Sequence, residues 1–234
     1  MLRRVFALAG LAAALVWTGL GAADKKDIET SKKALAELGE FVGEWKSNGE
    51  MSEGKKSLWK ETTAWGWKFG KDGEAWLAIE YKDSKLFTNG ALKYVPAKKV
   101  YQLTATDKAG NELVYEGKLV KGKLELTRAD KATGDVHKLT VHTLADGARM
   151  IVQQQVQAKG KGLFSDQFKT AGTKEGESFA GGGKKNECVV TGGLGTMQVS
   201  YNGKTYFVCC SGCREEFNLN PKKYVDEFEK NKKK

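Results

Sequence analysis

The sequence predicts a mainly β chain, an antiparallel barrel of about ten strands followed by a small α+β unit. Three observations carry that expectation. Segments rich in aromatic and β-branched residues recur between turn signals such as Asn48-Gly49, Asn89-Gly90, Gly110-Asn111 and Asp146-Gly147. Within them apolar and polar side chains alternate: Tyr101, Leu103 and Ala105 interleave with Gln102, Thr104 and Thr106, giving one dry and one wet face. The rhythm stops at Gly181-Gly182-Gly183-Lys184-Lys185, and all four cysteines of the chain follow within 26 residues.

The first 23 residues read as a leader. Arg3 and Arg4 precede an apolar stretch from Val5 to Leu20, then come Gly21-Ala22-Ala23 and the charged Asp24, Lys25, Lys26 and Asp27. That order predicts a secretory signal peptide cut after Ala23, hence a periplasmic or secreted protein. Beyond it no apolar run approaches the roughly 18 residues of a membrane span, which argues against an integral membrane protein. The net charge is +10, but the lysines are scattered and the chain is read as exported, so nucleic acid is not an expected partner.

Residues 24–180 form the predicted barrel domain. From Asp27 to Phe41, Ile28, Ala34, Leu35, Leu38 and Phe41 fall at helical spacing, and the stretch ends near Gly39 and Gly43, which predicts a short amphipathic lead-in helix. Turn spacing then places strands near 44–50, 57–68, 74–82, 86–95, 98–106, 111–120, 122–129, 135–143, 148–157 and 162–170. Closing them into a barrel removes the exposed edges. Trp59, Trp65, Trp67, Phe69 and Trp76 read as core, with a cavity for a small apolar ligand as an alternative use. His137 and His142 are the two histidines, and their odd offset on one strand points them to opposite faces, so they do not ligate one metal together.

The stretch Leu38-Gly39-Glu40-Phe41-Val42-Gly43-Glu44-Trp45 resembles the G-x-W opening of lipocalin-like and fatty-acid-binding-protein-like barrels. The resemblance spans residues 36–172 and implies a lipocalin-like barrel with Trp45 plugging one end. A haem-binding barrel of related shape would need an inward His near its end, and no His follows position 142, so haem is not expected.

Residues 186–234, after the 181–185 linker, carry the sharper chemistry. Thr196 to Tyr201 and Lys204 to Cys209 are β-rich arms joined by Asn202-Gly203, a strong hairpin signal. Pairing across that turn sets Cys209 opposite Thr196, and Gly192, Gly193 and Gly195 let Cys188 curl back to the same end. Ser211 or Gly212 then opens a helix with Cys213 in its first turn, where the positive dipole end favours thiolate. Asn220 reads as the N-cap of a second helix, Pro221 as its first residue, and Tyr224, Val225 and Phe228 as its apolar face. A unit this small needs a staple, and a thiolate-bound metal supplies one.

Cys188-Val-Val-Thr-Gly, Tyr201-Asn-Gly-Lys-Thr-Tyr-Phe-Val-Cys209-Cys-Ser-Gly-Cys213, Phe217 and Asn220-Pro221-Lys-Lys-Tyr224 resemble the YHS and TRASH family of small treble-clef-like domains. The resemblance implies one soft metal ion, zinc or copper, held by Cys188, Cys209 and Cys213, in sensing, storage or trafficking. Two departures stand out: Val189 occupies a position where Pro often follows the first Cys, and the domain has no His. The fourth ligand is therefore open among Cys210, Glu187 and solvent. Thiolate donors independently select Zn(II) or Cu(I) over hard cations.

The resulting reading is an exported, non-catalytic metal-binding protein. Its alternatives are two structural disulfides, which an oxidising compartment favours; a thiol-disulfide oxidoreductase using the Cys210/Cys213 C-x-x-C; and a carrier of an apolar ligand in the barrel.

Overall fold

A computed structural model describes residues 24–52, 58–175 and 186–232. The predicted signal peptide and the 181–185 linker lie outside the described residues.

The chain opens with α1 (Lys25–Ala36), whose N-cap Asp24 accepts from the Lys26 backbone N–H at 3.3 Å. The expected short lead-in helix ends at Ala36, close to the predicted stop near Gly39, and one 3-10 turn follows over Gly39–Phe41. Gly39 falls where the helix would have to continue, and glycine is a poor helix interior residue. Ten antiparallel strands follow: β1 (Gly43–Met51), β2 (Leu58–Phe69), β3 (Ala75–Lys82), β4 (Phe87–Val95), β5 (Val100–Asp107), β6 (Glu112–Val120), β7 (Lys123–Ala129), β8 (Val136–Leu144), β9 (Arg149–Gln157) and β10 (Ser165–Lys174). Each pairs with its sequence neighbour, and β1 pairs with β10 to close the barrel. Nine strands sit within two residues of their predicted places. The tenth runs later than the expected 162–170, because Ser165 is the first residue to pair with β9, opposite Val156, and the pairing with β1 continues to Lys174.

Alternate residues along most of the strands fill the interior. Trp45, Leu77, Ile79, Leu92, Leu103, Tyr115, Leu124, Leu126 and Val141 are essentially inaccessible. Trp45 plugs the helix-covered end as expected: its indole N–H donates to the Phe41 carbonyl at 2.8 Å, beneath a lid made by Leu35, Leu38 and Phe41. The Tyr101 hydroxyl ties the lid down by donating to the Ala34 carbonyl at 2.8 Å. Trp59, Trp65 and Trp67 are core residues, but Trp76 is not; it lies on the outer face of β3 beside Lys93, whose ammonium stands 5.4 Å from its ring centre. It precedes Leu77 by one position, so the pleat sends it outward.

The packed interior leaves a cavity of about 20 Å³ bordered by Glu61, Tyr81, Leu103 and Phe168. That is room for a water molecule, whereas ligand pockets run to about 300 Å³ or more. His137 and His142 both lie on β8, His137 with its Nδ1 3.3 Å from the Gln154 amide, and no metal-ligating group includes either among the described residues.

The barrel wall is uneven at the end where β1 starts. β1 begins pairing at Gly43 opposite Trp65, while β2 continues to Phe69 against Ala75 of β3. Residues 66–69 of β2 therefore project past β1 with one edge uncovered by the barrel itself.

Candidate metal centre

The C-terminal unit consists of β11 (Met197–Tyr201), β12 (Lys204–Val208), α2 (Ser211–Leu219) and α3 (Pro221–Lys232). Asn202 and Gly203, at φ 49° and 74°, form the tight turn that pairs Tyr201 with Lys204 and carries the register to Met197 opposite Val208. Both central residues need positive φ, which Asn and Gly tolerate. Thr196 and Cys209 extend this register, the Thr196 hydroxyl donating to the Cys209 carbonyl at 3.3 Å. Cys188 reaches the same end through a compact turn: its N–H donates to the Gly193 carbonyl at 2.6 Å, and its carbonyl accepts from the Gly192 N–H at 2.8 Å. The next residue, Val189, donates to the Phe207 carbonyl at 2.8 Å, fixing the turn to β12.

Cys210 is the N-cap residue of α2, which puts Cys213 in the first turn. α2 and α3 close over the hairpin through Phe217, Tyr224 and Val225, with Tyr206 between the rings of Phe217 and Phe228 at 6.4 Å from each. As expected, Asn220 caps α3, accepting from the Lys223 N–H at 3.4 Å.

The outcome is a triangle of sulfurs. The Sγ atoms of Cys188, Cys209 and Cys213 all lie within 4.8 Å of one another, all three residues are buried, and Cys209 and Cys213 approach to 3.4 Å. All four cysteines are free thiols. A tetrahedral ion with metal–sulfur bonds of about 2.3 Å would set its sulfurs about 3.8 Å apart, so this donor set fits one soft ion without rearrangement of the fold. Hydrogen bonds from Cys209 and then Cys213, helped by the Thr191 hydroxyl and the Val190 N–H, hold the Cys188 thiol well below its ordinary range. Cys209 and Cys213 are pushed up by their hydrogen bonds to Cys188 and by burial, and keep their protons.

Residues 195–227 match the YHS domain family. Cys209 and Cys213 lie inside the matched YHS segment, and Cys188 precedes it. The segment follows a closed ten-stranded barrel, consistent with the lipocalin-like barrel that the Gly43–Trp45 stretch leads one to expect. No curated protein matches the chain. Among solved structures, the crystal structure of Rv2717c from M. tuberculosis is similar at 16% identity, covering 61% of this chain and 97% of that one with a TM-score of 0.40.

The fourth-ligand candidates separate. Glu187 is exposed and lies outside the sulfur triangle. Cys210 Sγ also lies outside the triangle: it accepts from the Cys209 thiol at 3.9 Å and from the Trp67 backbone N–H of β2 at 3.3 Å. Hydrogen bonds from Cys209 and Cys213, with that of Trp67, hold the Cys210 thiol low. Trp67 belongs to the overhanging edge of β2, so the barrel supplies a hydrogen bond to the cysteine cluster. Gly212 makes that contact possible: a Cβ there would sit 1.7 Å from the Trp67 carbonyl oxygen.

Sequence reasoning found the three sulfurs and missed Thr191 and Trp67. The Thr191 hydroxyl, 3.6 Å from Cys209 Sγ, stands in the Cys188-Val-Val-Thr-Gly stretch and was visible as a polar residue three positions from Cys188. For Trp67 the available signal was the glycine in Cys210-Ser211-Gly212-Cys213, which marks a close approach at the start of α2.

Proposed function

We propose that this protein binds one soft metal ion, zinc or copper, through Cys188, Cys209 and Cys213, and stores, senses or transfers it without catalysing a reaction. The observation that supports the reading best is the buried triangle of three sulfurs within 4.8 Å of one another. The match of residues 195–227 to the YHS domain adds to it. Three protein sulfurs leave a coordination position for exchange, which a handling role requires. The bound ion would supply charge neutralisation for thiolates that are costly to bury alone, and the chain's own residues hold the sulfurs in place from the 188–193 turn, the end of β12 and the first turn of α2. The leader-like first 23 residues support a periplasmic or secreted location, where metal ligation would also keep adjacent thiols from oxidising. Elemental analysis of anaerobically purified protein tests the reading: about one zinc or copper per chain is expected, lost in Cys188→Ser, Cys209→Ser and Cys213→Ser. A metal-free preparation with two intact disulfides would overturn it.

One observation favours a second reading. Cys210, half-buried with its thiol held low, stands three positions before Cys213 at a helix N-terminus, as in thiol-disulfide exchange. That reading predicts disulfide reductase activity abolished by Cys210→Ser. The carrier reading has less support, since the barrel interior has space for only a water.

A further inference from the structure

The sulfur triangle is closed on most sides. Cys188 and Cys213 have no exposed surface, while Cys209 retains 7%. The side facing β2 is shut where Gly212 abuts the Trp67 carbonyl and Cys210 meets the Trp67 N–H. Cys209 alone of the three lines a crevice, whose other walls are Ala36, Gly39, Val42, Trp67, Thr191 and Gly193. Three of these, Ala36, Gly39 and Gly193, also line a wider groove of about 350 Å³ between the barrel lid and the C-terminal unit. The outer groove carries Glu37, Glu40, Asp146 and Glu187 against the ammonium of Lys174, an excess of negative charge that concentrates cations at its mouth.

We propose that the neck between Gly39 of the barrel lid and Gly193 of the 188–193 turn is the port by which the ion reaches and leaves the sulfurs, Cys209 being the first thiol met. The inference rests on the metal-binding reading above and adds a route and the residues that set its rate. In the resting conformation the crevice has no room for a water, so passage requires the neck to widen. At Gly39 and Gly193 backbone faces backbone: a Cβ on Gly39 would lie 3.7 Å from Gly193 Cα, and a Cβ on Gly193 would lie 3.7 Å from the Thr191 hydroxyl oxygen and 4.0 Å from Gly39 Cα. With no side chain on either wall, a small separation of lid and turn opens the path. The Thr191 hydroxyl at its inner end, 3.6 Å from Cys209 Sγ, offers an oxygen to an incoming ion before the thiols take it.

The neck is tested on the full chain by following loading with zinc or Cu(I) and stripping by a chelator in stopped flow, beside equilibrium stoichiometry. Gly193→Val fits its Cβ in ordinary contact and fills the neck with methyl groups, so loading and stripping both slow by about tenfold while stoichiometry stays at one ion. Gly39→Val blocks from the opposite wall and slows both likewise, which keeps the test decisive if the Gly193 variant does not fold. Val42→Ala trims a crevice wall and speeds both steps. Unchanged rates in the two blocked variants, or slower exchange in Val42→Ala, overturn the port and leave the metal reading intact. A wild-type chain that takes up no ion ends the metal reading itself.

Discussion

The barrel and the C-terminal unit are stabilised by different means. The barrel closes ten strands around a continuous apolar interior with Trp45, Leu77, Leu92 and Leu124 fully buried, so its fold needs nothing beyond its own side chains. The C-terminal unit has a two-stranded hairpin, two short helices and a handful of buried apolar residues, and two of its three fully inaccessible residues, Cys188 and Cys213, are thiols. Where the barrel is held by area removed from water, the smaller unit has its contact with β2 and, under the proposed function, the ion its sulfurs would bind. The contrast teaches that loss of metal should act locally, and loss of barrel packing globally.

The largest expected effect comes from the sulfurs. Cys213→Ser should abolish metal binding, which supplies on the order of 10 kcal/mol of folding energy in small zinc domains. Hydrogen exchange should then rise across residues 186–232 and stay unchanged in β3 to β9. Next is the plug: Trp45→Ala should cost the barrel about 3–5 kcal/mol, read by denaturant unfolding, with the metal content of the surviving folded protein unaltered. Exposure spreading from Cys213→Ser into the barrel strands would erase the contrast. Gly212→Ala drives a Cβ into the Trp67 carbonyl and should weaken docking by about 1–3 kcal/mol, seen as exposure of Cys210 to a thiol reagent at unchanged metal stoichiometry. Asn220→Ala removes the cap of α3 and should cost about 1 kcal/mol, confined to the C-terminal unit.

Acid sharpens the same distinction. Cys209 and Cys213, pushed up by their bonds to Cys188, carry protons that the metal must displace. Affinity for the ion therefore rises with pH and falls on acidification, as protons compete for these sulfurs. A competition titration across pH reads this directly, and pH-independent affinity would argue against thiolate ligation.

The ten strands were legible because each is bounded by residues that permit tight turns, and because alternation is a local property that closure does not alter. The boundary that moved furthest is set by a partner: β10 runs on to Lys174 because β1 is there to pair with it, whereas α1 stops before Gly39 for a local reason, the glycine itself. Trp76 was misplaced because aromatic content marks a strand without saying which face it lines. The sulfur triangle could be read from the spacing of Cys188, Cys209 and Cys213 around Asn202-Gly203, since a hairpin of known register converts spacing into position. The bond from Trp67 to Cys210 joins residues 143 positions apart and exists because β2 outruns β1. No local pattern encodes that overhang.

The central claim is tested most directly by X-ray absorption at the metal edge of the full chain purified anaerobically. The account predicts zinc or copper with at least three sulfur neighbours, at about 2.3 Å for zinc. A shell of oxygen or nitrogen alone, or no bound metal, would contradict it.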